Sequence, residues 1–291
     1  MDPFPETMLF AINYSPQARS LCAEGRLEVD RFKCPDWPDM IAEAQTLRQV
    51  AVHFTLKAGR GKTKKANLEQ VARWLDETGT RYVNVHLEPR PEDYSISPES
   101  KGRNIKAPMP VDTTDPAHQQ QVLERTLEDL WPVVNRFGAE RVIVENGPYR
   151  PTGNLLRPGA ETAFINQITQ ETGCGLLLDI SHAMISAHHL GLSPQDYMEL
   201  LPVERLGELH FAGVHNLDGW LQDHLPALPA DWEILTWVFQ RIQSGAWPRP
   251  WLLAFEYGGV GEKFANQSDR SVIETQGGQL QRMVKEMADH R

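Results

Sequence analysis

The chain has 291 residues and a formal net charge of −10, and an acidic surface of this kind repels phosphate backbones, which disfavours general nucleic-acid binding. Its cysteines, Cys22, Cys34 and Cys174, form no C-x-x-C pair and no disulfide framework, so they read as reduced thiols of a cytoplasmic protein. No segment reads as a signal peptide, and no run approaches the ~18 consecutive apolar residues of a membrane span.

In chain order, a first strand is predicted over 8–13 (MLFAIN), followed by a weak helical stretch at 15–23. A strand over 26–33 (RLEVDRFK) leads to a helix over 36–47. The strand 49–54 is followed by a basic, Gly-rich loop, 57–65, and a helix over 66–78. After the strand 81–86 comes a long Pro-rich stretch, 88–114, carrying Arg90, Lys101, Arg103 and Lys106. The helix 116–137 opens at Thr113-Thr114-Asp115-Pro116 and stops at Gly138, as proline at a first turn and glycine at a C-cap require. Strand 141–145, helix 160–172 (closed by Gly173) and strand 175–179 follow. Ser193-Pro194 opens a helix over 195–201. The series ends with strand 205–210, helix 231–243, strand 251–256 and helix 270–288.

The strand candidates are short and rich in Val, Ile, Leu and Phe, as strands buried on both faces are. Strands alternating with helices imply a parallel sheet with crossovers. The absence of a Gly-rich phosphate turn after the first strand (INYSPQ) argues against a doubly wound sheet. The fold class expected is α/β, a single (β/α)8 TIM barrel forming one domain over 1–291.

Active sites of such barrels lie at the C-terminal ends of the strands. The third to eighth strands end at His53, His86, Glu145, Asp179, His210 and Glu256. Charges at the ends of apolar strands are costly without partners. Three converging carboxylates repel one another, and divalent cations completed by neutral imidazoles relieve that repulsion. Two or three divalent metal ions are therefore expected. In this reading Glu145 bridges two ions, His53 and His86 hold one, and Asp179, His210 and Glu256 hold the other. His182, in Asp179-Ile180-Ser181-His182, and His224, in Trp220-Leu221-Gln222-Asp223-His224, are expected to bind a third ion or touch substrate. Carboxylate and imidazole without thiolate suits iron(II), zinc or manganese. Glu145, Glu256 and Lys33, the last at the end of the second predicted strand, are the candidate catalytic groups. Lys57, Arg60 and Lys62 of the basic loop are candidates for holding an anionic substrate group.

This ligand order resembles the xylose-isomerase-like barrel superfamily. Endonuclease IV is similar in its order His, His, Glu, Asp-x-x-His, His, Asp-x-His, Glu, which falls here on His53, His86, Glu145, Asp179 with His182, His210, His224 and Glu256. The aspartate of its Asp-x-His falls on Gln222, with Asp223 adjacent. The wording of 172–179, of Val203 to Gly213 and of Val144-Glu145-Asn146 is closer to the multinuclear non-haem iron-dependent oxidative family. That resemblance implies iron on these ligands, oxygen-dependent modification of a substrate, often cysteine in a peptide, and a small partner protein that presents it. Asn146 joins the candidate substrate-binding residues on this ground. The first two strands, ending Ile12-Asn13 and Phe32-Lys33, depart from that family's opening motifs. A zinc- or manganese-dependent hydrolase (a phosphodiesterase similar to endonuclease IV) or sugar isomerase or epimerase acting on an anionic substrate is the alternative, and metal storage or sensing a third reading.

Overall fold

The computed structural model describes residues 7–96, 109–261, 264 and 267–289. Its principal elements are β1 (Leu9–Asn13), α1 (Pro16–Ala23), β2 (Arg31–Pro35), α2 (Pro38–Gln45), β3 (Gln49–His53), α3 (Leu68–Thr78), β4 (Val83–Leu87), α4 (Pro116–Phe137), β5 (Val142–Glu145), α5 (Thr162–Thr172), β6 (Gly175–Asp179), α6 (Ile180–Leu190), α7 (Pro194–Glu199), β7 (Leu206–Phe211), α8 (Pro229–Gln243), β8 (Leu252–Phe255) and α9 (Arg270–Asp289). Local chemistry starts and stops the helices where the sequence suggests. Asp115 accepts a 2.8 Å bond from the Ala117 N–H at the start of α4, Ser193 does the same for Asp196 at 3.0 Å, and α5 ends on Gly173 with φ of 75°, a conformation that a side chain disfavours.

Neighbours in the sheet run β3-β2-β1-β8-β7-β6-β5-β4, and the two-residue strand Lys57–Ala58 pairs with β4 at the far end. Lys57–Ala58 continues the chain shortly after β3, so the sheet curls back onto its own starting point. All of its pairings are parallel. Side chains help to seal the β3–β4 seam. The Phe54 N–H donates to Asn84 Oδ1 at 2.7 Å, and Asn84 Nδ2 donates to the Phe54 carbonyl at 3.2 Å. The Asn84 amide thus stands in for a missing ladder bond.

Strand alternation divides the core in two. Phe10, Ile12, Phe32, Val50, Val52, Leu178, Phe211 and Phe255 point outward and pack under the helices. Each such burial contributes roughly 1.5–3 kcal/mol. Ala11, Ala51, Leu252 and Ala254 form a separate small cluster inside the barrel, with Trp251, Leu9 and Tyr82. Mostly small side chains therefore line this part of the lumen.

Three local features depart from the sequence reading. The second strand begins at Arg31 rather than 26, because the preceding residues turn; there Asp30 bonds Phe10 through both its backbone N–H (2.9 Å) and its carboxylate (2.7 Å). Helix α6 starts directly at the end of β6, in a stretch where no helix was predicted. The segment after β7 is a hairpin, Gly213–Leu217 paired with Trp220–Leu225. Its turn residues Asp218 and Gly219 have φ of 52° and 88°, the twist that a two-residue hairpin turn requires. Lys101, Arg103 and Lys106 lie outside the described residues.

Candidate metal centre

The predicted strand-end residues do converge. His53, His86, Glu145, Asp179 and His210 face the lumen near the C-terminal ends of β3 to β7, and Glu256 follows β8 directly. Four groups of donors could each hold a cation: His53, Glu145 and His210; Glu145, Asp179 and His182; Asp179, His210 and Glu256; and His182, Asp223 and His224. Within each group the donor atoms lie within 4.8 Å of one another. Glu145 Oε2 is 3.3 Å from His86 Nε2 and 3.6 Å from His53 Nε2, while those two nitrogens are 2.9 Å apart. His210 Nδ1 is 3.1 Å from Glu256 Oε1. Glu145 Oε2, His210 Nδ1 and His53 Nδ1 are buried without a hydrogen-bond partner. Two of these orphans face the centre, and buried polar atoms of this kind demand a partner. Cations fit that demand.

Backbone groups aim the imidazoles. His86 Nδ1 lies 3.0 Å from the Leu56 carbonyl, His182 Nδ1 2.9 Å from that of Asn146, and His224 Nδ1 2.8 Å from that of Glu256. A carbonyl only accepts, so each Nδ1 carries the proton and Nε2 is left as the donor to a metal. Asp179 is fixed in a similar way. It caps α6, its Oδ1 accepting from the His182 N–H at 2.7 Å, and its Oδ2 lies 3.9 Å from His210 Nδ1.

The hairpin decides between Gln222 and Asp223. Gln222 is in register with His215, whereas Asp223 Oδ2 sits 3.1 Å from His182 Nε2. Consecutive strand residues normally point to opposite faces. Here His224 has φ of 57°, and this left-handed residue lets Asp223 and its neighbour both reach the same group. Arg150 ties the hairpin down: its Nε donates to the Leu221 carbonyl at 2.8 Å, and its guanidinium lies 4.9 Å from the Trp220 ring centroid. Gly213 begins the hairpin because a Cβ there would meet the Pro226 carbonyl oxygen at 2.1 Å.

The electrostatics show how crowded the donors are without cations. Burial, reinforced by Lys33, holds His53 well below the usual histidine value, leaving it a neutral imidazole fit to ligate. Burial raises the Asp179 carboxyl, and Glu256 and Glu145 push the same way. Burial also works against Glu256, but His210 and Lys33 bring it down to about 2. Burial opposes a proton on His182, yet Asp179 and Asp223 outweigh it and raise that histidine well above its ordinary value. A proton on His182 thus does part of what a divalent cation does better.

Lys33 corrects an expectation. It is the middle residue of β2, in register with Ala51 and Asn13, rather than the end of a strand at the mouth. Its side chain is buried in the lumen, with the ammonium 2.7 Å from Glu208 Oε1 and in contact with His210 Nε2. Glu208 escaped the sequence reading. Its signal was the spacing Glu208-Leu209-His210, which puts both charges on one face of β7.

The basic loop also differs from expectation. Lys57 pairs with Glu88 at 2.7 Å, Arg60 with Asp93 at 2.6 Å, and Lys62 with Asp93 at 3.2 Å. The loop does hold an anion, but an internal one. The N–H groups of Gly59, Arg60, Gly61 and Thr63 donate to the buried Asp129 carboxylate of α4 at 2.7–3.2 Å. Asp129→Ala would strand these donors, and a loss of about 3–4 kcal/mol in stability is expected in urea unfolding. Asn146 is likewise engaged, exchanging bonds of 2.9 and 3.0 Å between its side-chain amide and the Asp179 backbone. It aligns β5 with β6.

Two cavities adjoin the centre. One, of about 410 Å³, is bounded by Arg90, Arg150, Asn154 and Trp220, and the other, of about 280 Å³, by Tyr14, Trp37, Met40 and Phe264. Both reach His86, Glu145 and His182, so the two share these donors.

A family model described as "RiPP precursor modification enzyme MbnB/TglH/ChrH" matches residues 54–253 of this chain. The chain belongs to the MbnB/TglH/ChrH family. The match takes in His86, Glu145, Asp179, His182, His210, Asp223 and His224, and stops just before Glu256. Among relatives of this family member, a UPF0276 protein of Caulobacter sp. (strain K31) is 34% identical over 136 residues, covering 44% of this chain and 45% of that protein. The UPF0276 protein RB0508 of Rhizobium meliloti is 48% identical over 94 residues, or 31% and 29% of the two chains. The chain therefore spans less than half the length of these relatives in the matched regions. The crystal structure of a xylose isomerase domain protein from Planctomyces limnophilus superposes with a TM-score of 0.57 at 10% identity, covering 99% of this chain and all of that one. This likeness is one of fold, and it agrees with the xylose-isomerase-like barrel expected from the ligand order. No helix among the described residues is long and apolar enough to cross a membrane.

Proposed function

We propose that this MbnB/TglH/ChrH family member is an iron-dependent enzyme that oxidatively modifies a residue of a peptide substrate, using two or three ions at the mouth of its barrel. The observation that carries this reading is the set of overlapping donor groups built from imidazole and carboxylate, with Glu145 Oε2 and His210 Nδ1 orphaned between them. That donor set suits iron(II). His53, His86, Glu145, Asp179, His210 and Glu256 would hold two ions, and His182, Asp223 and His224 a third. Bound iron would supply dioxygen activation and one-electron chemistry. The chain's own residues do the rest. The carbonyls behind His86, His182 and His224 fix their donor atoms, and Arg150 holds the hairpin that carries Asp223 and His224.

A peptide would lie across the two cavities that share His86, Glu145 and His182. An extended substrate lying across both would bring one residue over the shared donors while its neighbours rest against Trp220 on one side and Trp37 on the other. The same reading includes a small partner protein that presents the peptide, and a cytoplasmic location in which the three buried thiols stay reduced. The alternative of an anionic substrate held by Lys57, Arg60 and Lys62 draws little support from side chains already paired with acids.

The test is elemental analysis of protein purified without chelator or added metal, followed by oxygen uptake with a cysteine-containing precursor peptide. Two or more irons per chain with peptide-dependent oxygen consumption is the expected result. Zinc alone with no oxygen consumption, or no metal, would overturn the reading.

A further inference from the structure

Lys33 and Glu208 form an ion pair inside the barrel that the proposed chemistry leaves without a task. They are 4% and 6% exposed, among the alanines and leucine that line the lumen. A buried ion pair is weak support for stability, because apolar residues of similar volume often serve as well. Its position suggests another role. Glu208 Oε1 lies 2.9 Å from His210 Nε2, the ring nitrogen turned away from the centre. Lys33 Nζ is 2.7 Å from the same Glu208 oxygen, in contact with His210 Nε2, and 3.9 Å from Glu256 Oε1. His210 thus has a carboxylate behind it and donor partners before it.

We infer that Glu208 and Lys33 are a positioning pair beneath the metal centre: the Glu208 carboxylate draws the proton to His210 Nε2 against the opposing Lys33 ammonium, so that Nδ1 is left to face the metal, and Lys33 balances the charge of Glu208. The inference rests on the proposed metal centre. A carboxylate that accepts the second ring N–H of a ligating histidine fixes its tautomer and raises its basicity. With both Glu145 and Asp179 nearby, a further uncompensated carboxylate would add to the crowding of negative charge, and Lys33 offsets it. The two members of the pair should then act on cation affinity in different directions. Loss of Glu208 removes the group that aims His210. Loss of Lys33 removes a positive charge beside Glu256, which favours a cation.

Metal-stripped full-length protein, titrated with zinc against a chromophoric chelator, tests this without reference to catalysis. Glu208→Gln is expected to loosen zinc about 10–100-fold, Lys33→Met not to loosen it, and the double variant to bind zinc more weakly than wild type but less weakly than Glu208→Gln. A purely structural pair would instead weaken binding alike in both single variants, and that result, or unchanged affinity in Glu208→Gln, overturns the inference. Should a single variant fail to fold, the double variant, which leaves neither charge unpaired, carries the test. Binding weaker than wild type supports the inference, and wild-type affinity overturns it. Wild-type protein that takes up no zinc would remove the metal centre itself, whereas wild-type binding with like-behaving variants removes the pair's role alone.

Discussion

Glu145→Ala is expected to lose at least one of its bound ions while keeping its fold. Glu145 contributes to two of the donor groups, with His53 and His210 and with Asp179 and His182. Its oxygens face different neighbours: Oε2 lies toward His53 and His86, and Oε1 is 3.5 Å from His182 Nδ1. One substitution therefore removes a donor from two ion positions. The fold should survive, because an alanine here takes a buried negative charge away from Asp179 and relieves repulsion. Elemental analysis beside circular dichroism reads both parts of the prediction. The groups of Asp179, His210 and Glu256 and of His182, Asp223 and His224 do not use Glu145, so about two ions per chain is the ceiling expected for the variant, since each cation needs several oxygen or nitrogen donors. Native metal content in Glu145→Ala would remove this residue from the centre.

Stripping the metal should lower the melting temperature on the order of 10 °C, a shift set by linkage and by the size of the chain. A ligand present at a thousand times its dissociation constant adds about 4 kcal/mol to the folded state. In chains of this size, each kcal/mol moves the midpoint by about 2–4 °C. The structure supplies the reason for the large effect. Without cations, Asp179 and Glu256 are buried close to Glu145, and only protonated imidazoles and Lys33 offset them. Thermal unfolding with and without chelator, with metal content measured on the same samples, checks this. A midpoint that does not move when the metal has been removed would show that the donors carry no metal-dependent stability.

Much of this was legible in the chain because two signals were strong. Apolar runs separated by helical periodicity gave the order of the barrel, and ligand-type residues at the strand ends gave its mouth. Other features were hidden by tertiary context. Arg26 to Asp30 look like strand, yet Asp30 turns back to bond Phe10, and this displaced the second strand and misplaced Lys33. The role of Asp129 lies in the middle of a long helix, and only the fold brings it under the loop at 59–63. The hairpin was readable in principle, since Asp218-Gly219 between alternating residues is a hairpin signature. Choosing Asp223 over Gln222 required a backbone angle at His224 that no spacing rule supplies.

That hairpin separates the third donor group from the rest of the centre. His53, His86, Glu145, Asp179, His210 and Glu256 belong to the barrel wall, whose strands cannot shift register without disturbing the core. Asp223 and His224 ride instead on an appended ribbon, 213–225, anchored by Arg150 and by the clearance at Gly213. On the proposed reading, the number of ions is therefore adjustable by changes within this ribbon, a segment where insertions and exchanges are tolerated far better than in a barrel strand. On that reading, a barrel with two ion positions and a barrel with three need differ in little more than this ribbon.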